Sequence, residues 1–300
     1  MQLRKIVFIV LIMLLLIGCG KEEVPQVSVE PIIPEILKSE ASGIFTDENN
    51  KSVIDYSNTV DGYVMVRYKE DTDKRLKVQI KGPTTTYTYN IDIGIWETFP
   101  LSDGDGDYQI AVYENVEDTK YALVQSVNVD VELKDEFAPF LRPNQYVNYA
   151  DAANTIELAA ILSAGKTTEL EVVHAIYEYV VEKISYDKDL AVSVKSGYIP
   201  DLDKVLEKQK GICFDYAALM AGMLRSQSIP CKLVVGYAGD VYHAWISVYT
   251  EKEGWIDRVI YFDGTTWKRM DPTFASSGNQ SEDVMEYIGD GANYTEKYLY

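Results

Sequence analysis

Three side chains carry the most chemical potential in this chain: Cys213, His243 and Asp271, in that order and well separated. A thiolate attacks an acyl carbonyl, an imidazole takes and returns the proton, and a carboxylate fixes the imidazole tautomer. Cys213 stands in Gly211-Ile212-Cys213-Phe214-Asp215-Tyr216-Ala217, His243 in Tyr242-His243-Ala244-Trp245, and Asp271 in Met270-Asp271-Pro272-Thr273. The apolar spacing of Tyr216, Ala217, Met220, Ala221 and Leu224 predicts a buried helix with Cys213 in its first turn. Amides there lack intrahelical partners and carry partial positive charge, which favours a thiolate. The Cys213 amide is a natural oxyanion donor, and Gln209 is a weak candidate for a second.

These residues need elements to hold them. Ser228-Ile229-Pro230 ends the helix, and Cys231 to Tyr237 alternates into a strand. Gly239-Asp240 marks a turn, and His243 to Tyr249 reads as a second strand. Tyr261 to Asp263 and Thr266 to Met270 make a third piece broken by Gly264, and Tyr294 to Tyr300 adds a final strand. Strands lie about 5 Å apart, so adjacent ones would carry His243 and Asp271 side by side. Trp245 shares the face of His243 and would wall the site. Upstream, Thr155 to Leu162 reads as a short helix. A longer helix runs from a cap at Thr167 to about Ile184, with Val172, Val173, Ile176, Tyr179, Val180 and Ile184 inward. His174 falls off that stripe and reads as a surface histidine within reach of Glu178. Asp201 to Gln209 forms a short helix leading into the Cys213 turn. Helices followed by antiparallel strands define an α+β domain over residues 154–300.

Ahead of it the signal is β. Tyr63 to Tyr68 and Leu76 to Ile80 alternate, Thr84 to Ile91 is rich in Thr and Tyr, and Tyr108 to Tyr113 and Leu123 to Leu133 follow. Short strands with turn signals predict an all-β immunoglobulin-like sandwich over 41–135, joined by a linker over 136–153. Asp103, Asp105, Asp107 and Glu114 imitate an EF-hand count, but Tyr108 stands where the loop needs glycine, so a turn before a strand is the better reading.

The 300 residues carry 47 acidic and 28 basic side chains, a net charge of −19 that argues against nucleic acid as a partner. Arg4 and Lys5 precede an apolar run from Ile6 to Ile17, a signal peptide over 1–18. Leu16-Ile17-Gly18-Cys19 resembles a bacterial lipobox, with Cys19 the lipidated residue and 19–40 a proline-bearing tether. That resemblance implies a protein held by lipid on the outer face of a bacterial membrane. Of the remaining cysteines, Cys213 and Cys231 are separated by a helix of roughly 20 Å, too far for a disulfide. Two histidines and one spare cysteine do not make metal-ligand spacing, and no cofactor is expected.

Gly211 to Ala217, Ser228-Ile229-Pro230-Cys231 with Gly236-Tyr237, His243-Ala244-Trp245 and Asp271-Pro272-Thr273 together resemble the core of the transglutaminase-like superfamily, over about Leu158 to Thr273. The resemblance implies a papain-like α+β fold with Cys213 as nucleophile, His243 as base and Asp271 as its partner. It implies acyl transfer from a protein or peptide amide, cell-wall peptide among the candidates, through a thioester to water or an amine. Animal crosslinkers of the family carry calcium sites, and no convincing one is found in this sequence. The opposing reading is an inert surface-binding or adhesion module that uses the β-sandwich, with its tyrosine-rich strands, and keeps the transglutaminase-like domain as scaffold.

Overall fold

The computed structural model describes residues 30–256, 260–262, 267–269 and 294–300. The predicted lipid site Cys19 and the predicted triad member Asp271 lie outside them. Eight strands come first: β1 (Thr46–Glu48), β2 (Ser52–Asp55), β3 (Tyr63–Tyr68), β4 (Leu76–Lys81), β5 (Thr86–Asn90), β6 (Glu97–Pro100), β7 (Gly106–Glu117) and β8 (Lys120–Val131). They form two four-stranded antiparallel sheets, β1-β2-β3-β6 and β5-β4-β7-β8. β3, also read as alternating, is buried at five of its six positions, whereas the alternation read in β4 is observed with Leu76, Val78 and Ile80 buried, and the Thr- and Tyr-rich β5 alternates as well with Tyr87 and Tyr89 buried. One face of β4 and of β5 therefore supplies core and the other meets solvent. Strands β1, β2 and β6 were not legible. All four residues of β2 are buried, so it has no alternation to read.

The Asp103 segment is a turn ahead of β7. Its carboxylate accepts the Thr84 and Thr85 amides, and the Tyr108 hydroxyl donates to the Gly104 carbonyl at 2.9 Å. The stretch expected as a linker is packed. Val147 and Tyr149 are fully buried, and the Tyr146 ring lies against Tyr89, Tyr300 and Phe214. It showed no period because single aromatic residues anchor it, not a repeating face. A contiguous apolar cluster runs through both parts of the chain.

The C-terminal part continues with α1 (Ala153–Ser163), α2 (Glu169–Lys183), β9 (Ser185–Tyr186), α3 (Lys188–Ser193), α4 (Leu202–Lys208), β10 (Lys210–Gly211) and α5 (Cys213–Ser226). Then come β11 (Cys231–Ala238), β12 (Val241–Thr250), β13 (Gly254–Ile256), β14 (Ile260–Phe262), β15 (Trp267–Arg269) and β16 (Tyr294–Leu299). The cap of α2 is Thr168, one residue beyond the predicted Thr167: its hydroxyl accepts the Glu171 amide at 3.2 Å while the Glu171 carboxylate returns to the Thr168 amide. His174 is half-buried at the boundary of the helix, and its Nε2 lies 3.1 Å from Glu178. Helix α5 is buried from Asp215 to Ser226, and Gly222 lets Leu202 of α4 approach: a Cβ there would sit 2.6 Å from the Leu202 side chain.

The sheet beside α5 has the order β13-β12-β11-β16. Strands adjacent in the sheet were expected to carry His243 and Asp271; Asp271 lies outside the described residues, and the strand expected to lead to it is not a neighbour of β12. β12 is flanked by β11 and β13, whereas β15, which leads toward Asp271, pairs with β14 in a separate ribbon.

Candidate active site

Cys213 occupies the first position of α5, partly exposed, and is a free thiol. A short parallel pairing sets the chain up for it. Ser185 donates to the Gln209 carbonyl at 2.9 Å and Asp187 to the Gly211 carbonyl at 2.8 Å, tying the entry to Cys213 onto the exit of α2. Gln209 turns the chain in the left-handed region at φ 50°, with an exposed side chain and its carbonyl used in that pairing.

The turn is then fixed by Asp215, two residues past the thiol and fully buried. Its Oδ2 accepts the Ile212 amide at 2.8 Å and its Oδ1 accepts the Tyr198 hydroxyl at 2.7 Å. Burial pushes this carboxyl above its ordinary range, against the pull of those two bonds. Gly211 makes room for it, since a Cβ there would lie 2.6 Å from the Asp215 Cβ. Sequence reading passed over Asp215. The signal was present, because an acidic residue at the third helical position can reach back to the amide before the helix. Tyr198 arrives from a loop with no local signature.

His243 lies near the start of β12, 6% exposed. It faces Gly236 across the β11–β12 pair. Trp245 shares its face, as expected, and the two rings stack at 6.5 Å. Trp245 does not wall an open site, however. It is 1% exposed, covers Gly236 and meets Tyr294 edge-on at 5.1 Å. A Cβ at Gly236 would collide with the Trp245 ring and the Thr295 carbonyl, so only glycine permits this backing behind the histidine.

Helix α5 packs on β11 and β12, which puts the segments of Cys213 and His243 on touching elements. Their neighbours converge on one residue. Phe214 meets the Tyr146 ring at 5.2 Å, and the Tyr242 hydroxyl acts electrostatically on that of Tyr146. Tyr242 and Tyr237, a cross-strand pair with rings 5.5 Å apart, are exposed beside the histidine. Cys231 is fully buried and unpaired; burial pushes its thiol up to about 12, an inert apolar role.

Residues 156–258 match the family model described as the transglutaminase-like superfamily. No curated protein is significantly similar to the chain. Among solved structures, the chain resembles a protein of Cytophaga hutchinsonii provisionally described as a cysteine protease, with 15% identity, a TM-score of 0.40, and coverage of 86% of this chain and 74% of that one. It also resembles a structure described as a TGase, at 24% identity and a TM-score of 0.32, covering 45% of this chain and 34% of that one. For red sea bream transglutaminase the identity is 13% and the TM-score 0.28, covering 76% of this chain and 53% of that one. The segment that holds both Cys213 and His243 is a transglutaminase-like domain.

Proposed function

We propose that this protein is a bacterial cell-surface lipoprotein, anchored through Cys19, whose transglutaminase-like domain acts on peptide or side-chain amides. His243 takes the proton of the Cys213 thiol, and the sulfur adds to the amide carbonyl. The developing oxyanion is met by the Cys213 amide, which has no partner within the helix. The imidazolium returns the proton to the departing nitrogen, leaving a thioester on Cys213. Water or an amine then attacks that thioester, His243 takes its proton, and sulfur leaves with it as the thiol. Asp271 is assigned to orient His243, and no metal or cofactor enters any step. The N-terminal part is read as an immunoglobulin-like sandwich that presents the domain. The strand order of its two sheets and the Tyr108-to-Gly104 corner bond support that reading.

One observation carries the proposal: a partly exposed, free cysteine at the first position of a buried helix, on a turn with no slack, packed on the strand that bears the only buried histidine among the described residues. The test compares surface proteins of cells carrying wild type and Cys213→Ala by mass spectrometry. New isopeptide links or new cleavages that depend on Cys213 are the expected result. Identical profiles, together with cell or wall binding that survives the substitution, would make the domain an inert scaffold.

A further inference from the structure

We infer that Asp215 and Tyr198 form a positioning pair that sets the reactivity of Cys213, an inference that rests on Cys213 being the nucleophile. Asp215 is a costly residue to keep. It is fully buried, and among the described residues no ammonium or guanidinium lies within ion-pair distance of it. A helix N-terminus can be capped with an exposed serine or aspartate at far smaller cost. Here the carboxylate sits at the third helical position instead, with both oxygens committed in opposite directions.

One oxygen holds the Ile212 amide, the residue immediately before the nucleophile, so the turn bearing Cys213 is tied at both ends. The other is held by Tyr198, seventeen positions earlier in the chain. The loop carrying Tyr198 borders the N-terminal part. Gly197, at φ 90°, takes a backbone conformation that favours glycine and lies beside the Asn90 side chain of β5. A line of contact thus passes from the N-terminal sheets through the loop and Asp215 to the nucleophile. The carboxylate also has an electrostatic consequence. A negative charge two residues from a thiol opposes thiolate formation, and the Tyr198 hydroxyl disperses that charge while holding the oxygen in place. Tyr198 therefore moderates the cost of the cap it supports.

The experiment is alkylation of the full chain by iodoacetamide near neutral pH, with the Cys213 peptide quantified by mass spectrometry and the melting temperature recorded beside it. Tyr198→Phe removes only the hydroxyl. It leaves a buried carboxylate oxygen without its donor, so the melting temperature should fall, and in the folded protein it should slow Cys213 alkylation roughly five- to tenfold. Asp215→Ala loses the tie on the Ile212 amide, which outweighs removal of the opposing charge, and should slow it further; Asp215→Asn, which keeps an oxygen for that amide, should recover to within roughly threefold of wild type. A merely structural pair would move melting temperatures and leave the folded thiol's rate alone. Should folded Tyr198→Phe react at the wild-type rate while wild type outpaces the denatured chain, the pairing is refuted and the nucleophile stands. If wild type reacts no faster than the denatured chain, the nucleophile assignment falls and this inference with it.

Discussion

Two of the buried carboxylates, Glu114 in the N-terminal part and Asp215 beside Cys213, are handled in opposite ways. Glu114 on β7 is 5% exposed and receives Lys51 at 2.6 Å, Lys74, and the Tyr68 hydroxyl at 2.9 Å. Those bonds, Lys51 first, pull its carboxyl down to about 2. Asp215 also receives a tyrosine hydroxyl, but its second partner is a neutral amide and burial drives it upward. At Glu114 charge is matched with charge, whereas Asp55, also buried in the N-terminal part, accepts the Gly43 and Ser57 amides. Asp215 is likewise held by neutral donors, but it sits two residues from the nucleophile.

The contrast is broken most forcefully at His243. His243→Ala should lower Cys213 alkylation near neutral pH by roughly a hundredfold and any amide turnover by a thousandfold or more, while Tyr68→Phe beside Glu114 should alter neither. Rates measured on both variants decide it. A Cys213 that labels equally fast without the imidazole would make the C-terminal part framework as well, and the difference between the two carboxylates would lose its functional meaning.

A second test asks whether every buried charge without a counter-ion bears on the nucleophile. Arg225, near the end of α5, is 2% exposed and donates only to carbonyls: Cys231 at 2.9 and 2.7 Å, Arg142 at 2.9 Å and Tyr300 at 2.6 Å. Burial lowers this guanidinium to about 10. It joins the helix to the segment from the β-part and to the last strand. Arg225→Leu would leave these carbonyls without their donors, at about 1 kcal/mol each, so the expected loss is about 3 kcal/mol in urea unfolding. Cys213 alkylation in the folded variant should be unchanged, separating a charge that holds the architecture from one that holds the site.

How much of this was legible follows from range. Helix α5, its start at Cys213 and the strands carrying Cys231 and His243 were readable because local periodicity and turn residues specify them. Asp215 was readable in principle, since its bond to the Ile212 amide spans three residues. Tyr198, Tyr146 and Arg225 were not, because their partners lie far away in sequence and nothing local marks the meeting. The same holds for the placement of β14 and β15. A pair of short strands says nothing about whether it extends a sheet or folds on itself. Strand β2 was missed for a third reason: buried on both faces, it lacks the alternation by which strands are recognised.

The smallest effect sharpens the comparison through pH. The folded Glu114 carboxyl is depressed to about 2, below the ordinary glutamate range near 4.5, so the unfolded chain binds its proton first as pH falls. Its contribution is complete above about pH 4.5 and is lost as pH drops toward 2. Asp215 has the opposite sign. Its folded carboxyl is raised, so its contribution is most favourable when protonated and declines as pH rises from the unfolded aspartate value to the folded one. Glu114→Gln should therefore flatten the acid limb of a melting-temperature profile, and Asp215→Asn should steepen it. Profiles between pH 2 and 7 read both at once. Equal slopes in the two variants would mean that the carboxylates sit in equivalent surroundings, against the geometry that distinguishes them.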